Sequence, residues 1–204
     1  MGWPLVNEPW FNNSMARPRS ITDERLLDAA GTVISRLGPG FTLADVAREA
    51  SVAVGTLAQR FGSKHGLLVA MARSAIDGMP ARMRGSSTGD PVEDLVQALV
   101  AAYEPLDDPA TAHNNLAQLS VDLADAELRG LMAEFYSSME TEVARLVEAA
   151  AGALPGAPPP ALAARILTSI ADGTAIHWSA RPDGGLCARL QADLTAIVGG
   201  WRHP

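Results

Sequence analysis

Leu26, Ala30, Val33, Ile34 and Leu37 fall along one face of a helix, and the same period of three to four residues recurs almost to the end of the chain. No alternating stretch of useful length competes with it, so the expected class is all-α, with about nine helices. Helical spacing begins at Ser20, where Ser20 or Thr22 can cap and Asp23 and Glu24 suit the positive end of the helix dipole. Gly38-Pro39-Gly40 stops this helix. Thr42 and Asp45 form a capping box, with Phe41 placed to staple onto Val46, and the helix they open runs to about Ala50. A short third helix is expected near Val54–Phe61. A fourth follows Ser63-Lys64-His65 and carries Leu68, Met71, Ala75 and Met79 on one face.

Residues 84–90 (RGSSTGD) are a polar break. Asp90-Pro91 and Asp108-Pro109 each resemble an N-cap followed by proline in the first helical position. The helices they would open carry Leu95, Leu99 and Tyr103, then Leu116, Leu119 and Leu123. A long helix holds Leu128, Leu131, Phe135, Met139, Val143, Leu146 and Val147, and residues 152–160 (GALPGAPPP) form a loop. The last two helices are expected near 161–178 and 186–201. Residues 1–16 show no period and are expected to be an irregular arm, with Met15 as a second candidate start. This divides the chain into the arm, a front domain over 17–66 and a rear domain over 67–204.

With 48% apolar residues the chain can bury a proper core, and no apolar run approaches the ~20 residues that span a bilayer. The N-terminus lacks the basic and apolar regions of a secretory signal, which points to the cytoplasm. Cys187 is the only cysteine, so an internal disulfide is excluded and the residue reads as a small core side chain. The net charge of -7 is unevenly spread. Residues 17–64 carry seven Arg/Lys against five Asp/Glu, whereas from His65 onward nine Arg face seventeen Asp/Glu. A basic front and an acidic rear suit a protein that turns one end toward phosphates.

The functional signal is residues 42–64, TLADVAREASVAVGTLAQRFGSK. A helix-turn-helix needs a short first helix, a tight turn and a second helix locked across it. Leu43, Val46 and Ala47 supply the inner face of the first, Val52 plugs the turn, and Leu57 and Phe61 supply the inner face of the second. Val54, Gly55, Thr56, Gln59 and Arg60 remain available to DNA. An ordinary helical hairpin explains the apolar pattern but leaves the short second helix and its basic end unexplained.

This segment resembles the TetR family of bacterial regulators over about residues 20–70. The likeness rests on Ala29-Ala30, Phe41-Thr42, Val46-Ala47, Val52, Gly55-Thr56-Leu57, Phe61, Ser63-Lys64 and Leu67-Leu68, with a looser echo at Ala171-Asp172-Gly173. It implies a nine-helix dimer in which helices one to three bind operator DNA. The fourth helix links the domains, and the last two form a four-helix bundle with the partner. Thr42 is expected to hold a phosphate at its helix N-terminus. Lys64, the only lysine, falls where the family grips phosphate, and Arg60 is a second such contact. Gln59 can pair with adenine, and Val54 or the Thr56 methyl can touch thymine. The sequence departs from the family at Ser51 (often Gly), at Ala53 (often a capping residue) and at Ala58 (usually an aromatic).

Two stripes, Leu162, Ile166, Ile170, Gly173 and His177, then Leu186, Leu190, Leu194, Ile197 and Trp201, suit a self-association face, although packing within the chain would use part of each. An inducer cavity is expected in the rear domain, with Tyr103, His113, Asn114, Gln118, Met132, Phe135, Tyr136, Met139 and Trp178 as candidate lining. No cofactor or metal is implied. P-loop, GxGxxG and HExxH patterns are absent from the sequence, which argues against an enzyme. The remaining alternative is a helical dimer of the same fold that acts through a protein partner.

Overall fold

The computed structural model describes residues 21–85 and 88–203, and among them nine α-helices follow one another with no strand. The readings made for the 1–16 arm, Met15, Arg17, Arg19 and the Ser20 cap lie outside the described residues. Helix α1 (Asp23–Leu37) starts at Thr22, whose hydroxyl accepts the amide of Arg25, and ends at Gly38. A 3₁₀ turn over Gly38–Gly40 leads to α2 (Leu43–Glu49), α3 (Val54–Phe61) and α4 (Lys64–Arg84). Then come α5 (Pro91–Tyr103), α6 (Ala112–Ala124), α7 (Ala126–Ala149), α8 (Pro160–Ala180) and α9 (Leu186–Gly200).

Two hydrophobic cores result. The front core gathers Leu26, Ala30, Val33, Ile34, Phe41, Val46, Ala47, Leu57, Leu67 and Leu68, and it also takes Leu128 and Leu131 from the start of α7. The rear core is built from α5, α7, α8, α9 and the far end of α4, where Met79 and Met83 are buried. Helix α4 therefore runs unbroken through both, and a boundary after residue 66 falls within its first turn. Polar ties reinforce the junction. The Asn114 amide donates to the carbonyls of Ser35 and Arg36 at the end of α1, and Ser35 donates to Asn115. His65, at the start of α4, lies 3.3 Å from the Asp125 carboxylate that caps α7.

Two sequence expectations need correction. Asp108-Pro109 does not open α6: Asp108 accepts the amide of Ala110 through its side chain and that of Thr111 through its carbonyl, closing a turn, and the helix starts three residues later. The apolar spacing of α6 also misleads, since Leu123 is exposed while Gln118 is buried. The α9 stripe is largely intrachain core. Leu186, Leu190 and Leu194 pack against α5 and α8 and are essentially inaccessible, leaving Ile197 exposed and Trp201 half-buried. On α8, Leu162 and His177 are exposed while Ile166, Ile170 and Gly173 are half-buried.

Candidate nucleic-acid interface

Thr42 starts α2 through a complete capping box. Its hydroxyl oxygen accepts the Asp45 amide, and the Asp45 carboxylate accepts both the Thr42 amide (2.9 Å) and its hydroxyl (2.6 Å). These bonds hold the Asp45 carboxyl below the usual carboxylate range. Phe41 and Val46, on either side of the cap, are both buried in the front core as the staple requires. The turn then reverses quickly: the Val52 amide reaches back to the carbonyl of Ala47, and Ser51 between them has φ 56.

Helix α3 is fixed by a few contacts on one side. Leu57 is fully buried and Phe61 half-buried, so the opposite face turns out. Val54 (45% accessible), Gly55, Ala58, Gln59 and Arg60 are exposed, and Thr56 is half-buried. The N-cap of α3 is Ala53, in extended conformation and without a side-chain bond to the free amides. At the other end Gly62 turns the chain and the Ser63 hydroxyl accepts the amide of Gly66, starting α4. Gly66 has a steric task that the sequence reading missed: a Cβ there would collide with the carbonyl oxygen of Phe61. A glycine in the first turn of a long helix, where alanine is the better helix former, was the available signal.

The two proposed phosphate cations already have partners. Arg60 pairs with Asp23 of α1. Lys64 donates to the carbonyl of Pro39 and sits 4.2 Å above the centre of the Phe41 ring. Thr42, Val54, Gly55, Gln59 and Arg60 thus reach solvent around the α2–α3 unit, while Lys64 is partly withdrawn behind it.

The rear-domain candidates scatter. Tyr103 is buried and bonds to Asp172; Phe135 and Tyr136 are half-buried and meet edge to face. Met139 is buried in the rear core, as is Trp178, whose indole N–H donates to the carbonyl of Gly184. Gln118 is buried and donates to Asp122. Met132 is half-buried, His113 is exposed, and Asn114 is spent on the tie to α1. A groove of ≈ 680 Å³ between α4, α5 and α7, bordered by Arg82, Gln97 and Arg145, contains none of these candidates. Sequence reasoning also missed Asp107, which accepts the amide of Leu186 and so caps α9 from a distant loop.

A front three-helix unit with an outward-turned second hairpin helix, carried on a helical rear domain, defines the class as a helix-turn-helix protein. Residues 26–71 match the family described as bacterial regulatory proteins, tetR family, and this N-terminal domain belongs to it. The fold of the described chain is that of TetR-family regulators. It is similar to a transcriptional regulator from Rhodococcus sp. Rha1, at TM-score 0.71 and 23% identity over 89% of this chain and 96% of that one. A TetR transcription regulator from Haloarcula marismortui superposes at TM-score 0.73 with 14% identity, covering 88% and 97%. SmeT, the repressor of the Stenotrophomonas maltophilia multidrug efflux pump SmeDEF, gives TM-score 0.60 and 19% identity over 89% and 90%. No curated protein matches the chain.

Proposed function

We propose that the chain is a homodimeric transcriptional regulator, acting as a repressor, that binds a palindromic operator and is released by a small molecule. The observation that carries this reading is α3: its inner side is fixed by Leu57 while Val54, Gly55, Gln59 and Arg60 face solvent on an eight-residue helix. Thr42, with Arg60 and Lys64, would hold phosphates. Gln59, Val54 and Thr56 would read bases, with A·T pairs preferred. The front domain (17–66) binds DNA; the rear domain (67–204) dimerises through α8 and α9 and takes the ligand, with Tyr103 and Met139 in the rear core and Phe135 packed against it. The repressor role draws support from the similarity to SmeT. Family membership of the front domain favours a regulator over an enzyme. None of the described helices is long and apolar enough to cross a membrane, which accords with a cytoplasmic protein.

Selection from a genomic-fragment library at low salt tests the proposal. Recovery of an inverted repeat, with half-site centres one helical turn (~34 Å) or a multiple apart, is the expected result. Ser51, uncapped Ala53 and the internally paired Arg60 and Lys64 favour a second reading, a dimer of this fold acting through a protein partner. Absence of any enriched fragment would select that second reading.

A further inference from the structure

The front domain has little free positive charge for a unit that would grip phosphates. Among its described residues five cations, Arg25, Arg36, Arg48, Arg60 and Lys64, are matched by five acids, Asp23, Glu24, Asp28, Asp45 and Glu49. Three of the arginines are held in ion pairs: Arg36 by Glu49, Arg48 by Asp45 and Arg60 by Asp23. Only the last of these lies on α3. Arg60 stands in the last turn of that helix, and its Nη1 donates to the carboxylate of Asp23 in the first turn of α1, 37 residues away in sequence. Neither helix depends on the pair for its place. Thr22 caps α1, Asp23 already gains from the positive end of its helix, and α3 packs on α2 and α4. With 62% of the Asp23 side chain accessible, the pair adds little to stability.

We infer that the Asp23 carboxylate stands in for a DNA phosphate on Arg60, a built-in competitor that holds down affinity for any duplex until a backbone phosphate displaces it. The inference rests on the reading of α3 as the DNA-facing helix. A carboxylate offers a guanidinium the same negative charge and paired oxygens as a phosphate, so the two compete for one edge of Arg60. Once displaced, Asp23 stays close to the incoming phosphate and repels it, which adds to the cost of the exchange. The exchange involves no base, so it weakens every sequence by the same factor. Non-specific attraction is thereby kept low, and the contacts of α3 with base edges carry more of the discrimination. A brace between α1 and α3 is the plain alternative, and it has the opposite sign: loss of the carboxylate would let α3 shift and would weaken binding.

Fluorescence anisotropy with the full chain at low salt tests it, on a labelled duplex of arbitrary sequence and on the fragment recovered by selection. Asp23→Asn is expected to tighten both by up to about fivefold, the size of an exposed ion pair. Glu24→Gln is the control. It removes the same charge from the same turn of α1, and Glu24 enters no ion pair among the described residues, so its gain should stay below about twofold. Added to Arg60→Ala, Asp23→Asn should gain no more than the control does, because the arginine it would free is gone. Weaker binding by Asp23→Asn, a gain no larger than that of Glu24→Gln, or a full gain in the Arg60→Ala background overturns the inference and leaves the regulator reading standing. No binding of either duplex by the parent chain or any variant overturns both.

Discussion

Ser51 has the only positive φ outside glycine among the described residues, and it sits in the turn between α2 and α3. A Cβ in the left-handed region crowds the following carbonyl, at ~1–2 kcal/mol for an ordinary residue. Ser51→Gly should therefore raise stability by ~1 kcal/mol, read as a higher denaturant midpoint at unchanged slope. Two residues on, Ala53→Ser offers a hydroxyl to the unbonded amides of α3 and should add ~1 kcal/mol. The opposite sign holds at Gly66. Gly66→Ala drives a methyl into the Phe61 carbonyl and should destabilise by more than the ~1 kcal/mol that alanine gains in helix propensity. A Gly66→Ala protein as stable as the parent would show that the α3–α4 corner yields easily. Ser51, where the family often has glycine, takes the left-handed conformation, and Ala53, where it often has a capping residue, gives α3 no side-chain cap. Gly66 left only the indirect signal of a glycine in a helix's first turn, because its constraint is a contact with the Phe61 carbonyl and not a positive φ.

Helix α3 and the start of α4 raise a question that side-chain placement alone sharpens. Gln59 is exposed on α3, so Gln59→Ala should spare non-specific binding and lose ~1–3 kcal/mol only at its cognate base pair. Lys64 holds the Pro39 carbonyl and covers the Phe41 ring, which ties α4 to the turn before α2. An ammonium has three donors, so this tie leaves it able to face a phosphate as well. If it does, Lys64→Ala weakens operator and scrambled DNA alike and flattens the log–log salt dependence by about 0.9. If Lys64 is only a clamp, the variant melts lower while the salt slope is unchanged. Titrations at several salt concentrations separate the two. The sequence showed the lysine and its position after α3; its covering of Phe41 depends on a 3₁₀ turn that brings residues 39–41 beneath it.

Across the whole molecule the sharpest correction concerns the self-association face. Leu190 lies in the monomer core, so a charge there should unfold the chain instead of splitting a dimer. The exposed large apolar residues of the last two helices are Leu162 and Ile176, about four turns apart on α8, and Ile197 on α9. Ile176→Glu combined with Ile197→Glu should give a folded monomer in sedimentation velocity and remove operator binding, because one half-site rarely suffices. A parent chain that sediments as a monomer at micromolar concentration would count against the dimer.

Helical period, capping residues and the Gly/Pro breaks determined the all-α class, the order of the helices and the outward residues of α3, because each depends on neighbours within a turn or two of the chain. The capping box at Thr42 and Asp45 is the clearest instance, complete in the sequence and complete in the fold. What only the tertiary structure decided was which side of a helix meets which other helix. Helix α6 turns Gln118 inward and Leu123 outward, and α9 spends its leucines on α5 and α8. Tyr103 meets Asp172 across 69 residues of sequence, and Asp107 caps α9 from 79 residues away. Such pairings depend on packing between distant segments, and local spacing carries no record of them.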